Sequence, residues 1–364
     1  MALDVQVLGE VREEVIGMEL SKRDSLMAKG IAILGMLMLH LFCRLDNLPY
    51  TPWVWIGGKP LVYYLGLFGD ICVPAYCFVS GYAQMLLADK EGAAYRKRRW
   101  ERLTKFLANY WLILCVFSVV GLLFDKTGDI PGSLREFLGN AFLYRISYNG
   151  AWWFVLTYAI LVWISPYIIK IVQKVNANIL VFASGGVYFT AYVFRFAYVL
   201  SFENAVLSWL WTQLVLLGTS QFAFIVGMVF YKHKTISRLR ALPWSGKKRN
   251  LVGAVLILSV FLMHCLEPSL ILAPITGIVT LTCFWLGEKP EWLCRVLTFF
   301  GRHSTNIWLV HMFYYLVLFK GLAFQAQYPL FVFALLLGLS TVTSLVLQPV
   351  YERMIAFWGK CGKK

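Results

Sequence analysis

Residues 28–40 read AKGIAILGMLMLH. The run has the apolar density of a membrane helix, yet Lys29 stands near its start and His40 at its end. Polar side chains at membrane depth are costly and are mostly retained for function. The stretch therefore raises the fold and the chemistry together.

The whole chain answers the first question. It has 364 residues, 59% of them hydrophobic and 15% charged, where a soluble domain carries about a quarter charged. The mean hydropathy is +0.66. Apolar runs of membrane-spanning length recur from end to end. Ten candidate spans are expected, at roughly 27–44, 61–87, 105–124, 151–171, 178–196, 210–231, 250–266, 270–286, 305–320 and 328–350. The fold class expected is an all-α integral membrane protein. A short cytoplasmic segment, 1–20, would precede one transmembrane domain over 21–350, and a basic cytoplasmic tail over 351–364 would follow. The segment SLREFLGNAFLYRI, 133–146, is amphipathic and too short to span, so it is expected to lie in the interface or to re-enter.

The net charge of +15 could point to nucleic acid, but its distribution excludes that partner. With the N-terminus in the cytoplasm, the far side holds Arg44, Lys59, Lys126, Arg135, Arg145, Arg195 and Lys320. The other 27 of the 34 basic residues fall on the cytoplasmic side. This is the positive-inside pattern, and it places both termini in the cytoplasm. The charge is orientation information and attraction to anionic lipid, with a share available to an anionic ligand. The acidic N-terminal twenty residues do not read as a signal peptide. The eight cysteines show no CxxC spacing and signal neither a zinc site nor a disulfide framework.

Lys29 and His40 are eleven residues apart, about 20° from full register, so both project from one helix face about 16 Å apart along the axis. The stripe joins a cation at the cytoplasmic mouth to a titratable ring inside. His40 is open between a helix–helix hydrogen bond and a general base. Lys29 is open between a snorkelling anchor and a ligand for an anion. In YRKRRWERLTKF, 95–106, the RRxxR core puts Arg98 and Arg102 one turn apart if the helix begins early. Guanidinium forks suit phosphates, so a nucleotide phosphate is the sharper reading and positive-inside bias the plainer one. Asp70 lies in the second span at a depth like that of His40 and needs a partner, either His40 or a substrate hydroxyl. Pro74 and Gly81 allow bends there. Trp152 and Trp153 belong either to an aromatic belt or to a sugar-stacking platform. Ser304 and His311 share a face within about 20°. His303 is expected to be solvated, and His233 and His264 to be incidental. No P-loop, GxSxG, HExxH, DHHC-Cys signature or metal-ligand cluster is present.

Taken together and in order, these fragments resemble the acyltransferase-3 family of multi-pass membrane enzymes. The first-helix pattern of a cation, ten residues and His reads KGIAILGMLMLH. Ser80-Gly81-Tyr82 and then Arg98 to Arg102 match the end of the family's second helix and its RRxxR. WWF, Trp152 to Phe154, matches its outer aromatic start of a later helix. Gly301, Ser304 and His311 match its late motif. The matches run from residue 21 to about 315. Lys29 stands where Arg is commoner, and Asp24 lies two residues early for the acidic position. No hydrolase-like domain follows the last span, which favours a stand-alone enzyme.

The resemblance implies transfer of an acetyl or other short acyl group from cytoplasmic acyl-CoA to a hydroxyl of a cell-envelope carbohydrate or lipid-linked glycan, in the bacterial cytoplasmic membrane and without a metal. His40 would be the general base or acyl-transfer residue. Asp70, Ser304 and His311 would complete the catalytic set. Lys29, Arg98, Arg99 and Arg102 would hold the donor, and Trp152, Trp153 and Tyr82 the acceptor. The competing reading is a polytopic transporter or flippase using His40 and Asp70 as a proton or substrate site, although no internal repeat supports it.

Overall fold

The computed structural model describes residues 20–125 and 127–361. Lys126 and most of the expected N-terminal segment, 1–19, lie outside the described residues, as do residues 362–364 of the tail. The chain is helical almost throughout; among the described residues the only strands form a two-residue ribbon, β1 (Trp55–Ile56) against β2 (Lys59–Pro60). Seven helical stretches are long and apolar enough to cross a membrane. One of them, Leu61–Phe124, is itself subdivided, and Leu270–Leu286 is apolar but shorter.

Helix α1 (Lys22–Phe42) starts on a capping box. Ser21 Oγ accepts from the Asp24 amide at 3.0 Å, and Asp24 Oδ2 accepts from the Ser21 amide at 2.9 Å. The reciprocal pair satisfies two orphan donors and fixes where the helix begins. It also gives Asp24 a structural task. The second apolar run divides into α2 (Leu61–Phe68) and α3 (Cys72–Glu91), separated by a 3-10 turn over Gly69–Ile71 that contains Asp70. The interruption falls there because α2 and α3 lean on α1 at two facing glycines. A Cβ at Gly69 would stand 2.0 Å from the Gly35 carbonyl oxygen.

The chain reverses at Gly92–Ala94 and enters α4 (Tyr95–Phe124), which runs unbroken through the basic RRxxR stretch. The early helix start required to align Arg98 and Arg102 is therefore present. Helix α5 (Leu134–Ala141) is the short amphipathic segment, capped by Ser133 and tied down by an Arg145–Glu136 ion pair at 2.5 Å. Next come α6 (Trp153–Lys174), α7 (Ala177–Phe196), α8 (Ala205–Lys232), the one-and-a-half-turn α9 (Thr235–Arg240), α10 (Gly246–Leu266), α11 (Ala273–Leu286), α12 (Glu291–Tyr315) and α13 (Pro329–Cys361).

Helix α12 begins well before the expected span at 305–320, because Glu291 to Arg302 continue the helix as an amphipathic extension. That extension lies along α1. Arg23 and Glu291 pair at 2.5 Å at one end, Leu26 and Gly30 meet Gly301 and Leu297 next, and His40 meets His311 at the other end. The order of contacts shows that the two helices run in the same direction. Their crossing is made without side chains: a Cβ at Gly301 would lie 1.9 Å from the Leu26 carbonyl oxygen, and one at Gly30 would lie 2.2 Å from that of Leu297. Small residues let apolar helices approach this closely where lipid supplies no hydrophobic drive between them.

Candidate active site

His40 lies two residues before the end of α1 and faces a cavity of about 210 Å³. Asp70, Tyr76, Trp153, Arg195 and Trp308 line the same space. The ring of His40 is set edge-on to His311, with centroids 4.9 Å apart. Its Nδ1 lies 3.2 Å from the Tyr315 hydroxyl, and Nε2 makes no hydrogen bond among the described residues. His311 Nδ1 lies 2.7 Å from the Trp308 carbonyl oxygen. A carbonyl only accepts, so His311 carries its proton on Nδ1 and presents a bare Nε2. That nitrogen is buried without a partner. Tyr315 stacks on His311 with centroids 6.1 Å apart. The three rings belong to the two helices joined at the glycine crossing, which fixes their separation.

A second set of bonds holds α12 from the side. Asn149 Nδ2 and Trp152 Nε1 both donate to the Leu309 carbonyl at 2.9 Å, and Trp308 Nε1 donates to the Ala151 carbonyl at 3.0 Å. The stretch NGAWW is thus a clasp on α12 at the level of His311. This corrects the reading of Trp152 as a stacking platform. Its indole is completely buried against Tyr110 and Phe313, so it has no free face. Its neighbour Trp153 is the one that reaches the His40 cavity.

Asp70 lines the cavity too, but neither His40 nor open space is its partner. His264 Nε2, from the last turn of α10, lies 3.0 Å from Asp70 Oδ2, and both side chains are 1% exposed. The contact is ionic in distance without the alignment of a hydrogen bond. His264 is therefore no incidental ring near a helix end, and the expected Asp70–His40 pairing gives way to Asp70–His264. Ser304 does not line the cavity, although it lies beside Tyr76, which does. Its hydroxyl donates to the Gly301 carbonyl at 3.0 Å, a bond within its own helix.

The opposite end of the bundle gathers the arginines. Arg102 Nη1 donates to Glu91 Oε1 at 2.8 Å, and Arg98 reaches the same oxygen at 3.7 Å. Nε and Nη2 of Arg102 remain buried without partners. Arg99 turns inward and donates to the Trp163 carbonyl of α6. It is 6% exposed, so its place in the donor set passes to its neighbours. Lys29 is half-buried and makes no hydrogen bond or ion pair among the described residues. Tyr82 is not brought to His40. Its hydroxyl accepts from the Leu20 amide at 3.1 Å, and it lines a separate cavity with Lys90, Lys232 and Lys234. Between the two ends, Phe106 stacks over Trp308 at 6.4 Å, and Asn109 Nδ2 donates to Asn306 Oδ1 at 2.7 Å. Arg102, Phe106 and Asn109 share one face of α4 at helical spacing.

A family model described as an acyltransferase domain matches residues 27–348, nearly the full length. The chain belongs to the acyltransferase-3 family. No curated protein and no solved structure matches it. The membership makes this helical, membrane-like protein an acyltransferase, and the matched region holds every residue of the His40 and Arg102 clusters. Reading the acyltransferase's sequence alone missed Tyr315, Trp308, Asn149, His264 and Arg195. Tyr315 stands one turn beyond His311, and Tyr188, Tyr192 and Arg195 share one face of α7, so both signals were periodic. Asn149 and Trp308 act through backbone carbonyls, for which no pattern of residue types exists.

Proposed function

We propose that this acyltransferase moves an acetyl or other short acyl group from cytoplasmic acyl-CoA to a hydroxyl of a cell-envelope carbohydrate or lipid-linked sugar, across ten spans of the bacterial cytoplasmic membrane with both termini inside. The far-side scarcity of Lys and Arg supports that orientation. The observation that carries the reading is the His40–His311–Tyr315 cluster, whose His40 faces a cavity of about 210 Å³ inside a chain of this family.

The donor supplies an activated thioester, and the arginine end has groups that fit its phosphates. Arg102 offers two buried, unpartnered N–H-bearing nitrogens, Arg98 is exposed beside it, and Lys29 is unpaired. Guanidinium forks match phosphate oxygens bidentately. The Phe106–Trp308 and Asn109–Asn306 contacts mark an interior polar and aromatic face that leads toward His40.

At the other end, His40 receives a proton on Nε2 from the acceptor hydroxyl. Its Nδ1–H is then donated to Tyr315 Oη, which holds the ring in orientation and steadies the cation that forms. His311 presents a bare Nε2 beside it and orients the acceptor or the leaving thiol. Trp153 supplies the apolar face for a sugar ring. Asp70, paired with His264, shapes the wall of the cavity. Bringing both substrates to one fixed pair of rings removes much of the entropic cost of a two-substrate reaction.

The test is thiol release from acetyl-CoA by the detergent-purified chain, beside His40→Ala with a matched melting temperature. Turnover that disappears in the variant supports the reading. Silence in both, with no rise in melting temperature on adding coenzyme A, removes it.

A further inference from the structure

The charges around the His40 cavity do not cancel. Asp70 is engaged by His264 Nε2 at 3.0 Å. Arg195 of α7, which lines the same cavity, has no carboxylate partner among the described residues. Its guanidinium lies over the Trp153 ring, with Cζ 4.8 Å from the centroid, and Nη1 donates to Thr219 Oγ1 at 3.1 Å. An arginine has five N–H donors, so most of this fork is open.

The neighbours on its helix face are already engaged. The Tyr188 hydroxyl donates to the Leu270 carbonyl at 3.0 Å, and the Tyr192 hydroxyl meets Ser269 Oγ at 2.8 Å. These bonds anchor α7 to the loop before α11 and hold Arg195 in place. Ser220, also on the cavity wall, is buried with a hydroxyl that has no partner. Arg195 is half-buried in the last turn of α7, at the outer mouth of the cavity. A cation held on a cavity wall with no carboxylate partner is available to an anionic ligand.

We propose that the acceptor is an anionic sugar, and that Arg195 reads its carboxylate or phosphate while Trp153 underlies the ring. The proposal rests on reading the His40 cavity as the acceptor site. The guanidinium fork accepts either anion geometry, and the cation over the indole is held by the ring's negative face. A neutral sugar would leave the fork without an ionic partner.

The experiment compares three probes on the full-length protein in neutral detergent: methyl glucuronide, glucose 1-phosphate and methyl glucoside, with inorganic phosphate as a free-anion arm. Binding is read by the rise in melting temperature. The wild type is expected to bind one or both charged sugars on the order of tenfold more tightly than the glucoside, as one charge-assisted hydrogen-bond pair supplies. Which of the two binds separates a carboxylate acceptor from a phosphate one. Arg195→Lys should keep part of the preference and Arg195→Gln should lose it. Equal binding of charged and neutral sugars by the wild type overturns the proposal. So does a preference that survives in Arg195→Gln, or inorganic phosphate reproducing the whole effect. If Arg195→Gln does not fold, the wild type and the lysine variant still decide. Coenzyme A in a parallel sample of wild type reads the donor side: charge-selective sugar binding without any coenzyme A response or thiol release would leave the anion site standing and remove the acyl-transfer reading.

Discussion

The two ends of the bundle treat charge in opposite ways. At the arginine end, several cations have local partners: Arg102 and Arg98 share Glu91, Arg23 holds Glu291, and Lys232 donates to the Val172 carbonyl at the end of α6 at 2.7 Å. At the His40 end, titratable groups are few and mostly face one another, as the two imidazoles do at 4.9 Å, or face nothing charged, as Arg195 does. The many charges of the first end are largely accounted for by structure and orientation. The handful at the second end is not, and chemistry is the remaining reason to keep them there.

The largest effect that would break this contrast is on catalysis. His40→Ala should lower acyl transfer on the order of 10²- to 10⁴-fold, the range of a lost general base, with little change in melting temperature. A variant that turned over at the wild-type rate would make the His40 end as structural as the other. Asp70→Asn should destabilise the fold by about 1–3 kcal/mol, because it removes the carboxylate that His264 Nε2 meets at 3.0 Å in a fully buried site. Unfolding in detergent measures it, and the double variant with His264→Gln should lose less than the two single changes combined. Gly301→Ala forces the Leu26 backbone to move and should cost about 1–3 kcal/mol. Activity should fall further than stability, since the same crossing sets the spacing of the imidazoles.

The arginine end should respond more mildly. Arg102→Gln is expected to raise KM for acyl-CoA by about tenfold with kcat kept, in line with about 1.5–3 kcal/mol for hydrogen bonds to charged groups. Glu91→Gln releases both arginines for phosphate and should lower that KM, by no more than about fivefold for a partly exposed ion pair. A rise in KM instead would show that Glu91 positions the arginines more than it competes for them.

Much of this could be read from residue order. The apolar runs foretold the helices, and the cation-to-His40 spacing, RRxxR and the late His311 pointed to the elements that carry the site. Periodicity gave the shared faces. It could not give the 3-10 turn at Gly69–Ile71, which exists because two backbones touch at Gly35 and Gly69. Nor could it pair Asp70 with His264, since the two stand on helices brought together only by the packing of the whole bundle. Trp152 and Trp153 illustrate the limit most plainly. They are adjacent and chemically identical, yet one is locked by a carbonyl on α12 and the other opens on the cavity.

The crossing of α1 with α12 has a consequence for how the protein is made. Tyr315 meets a histidine 275 residues earlier in the chain. At usual rates of synthesis, the first helix waits on the order of tens of seconds for the partner that completes its site. Throughout that interval His40 has neither His311 nor Tyr315 beside it. An unfinished or truncated chain already carries the arginine end but has no assembled pair of imidazoles. Competence therefore arrives late in biogenesis, once α12 has docked at its glycine.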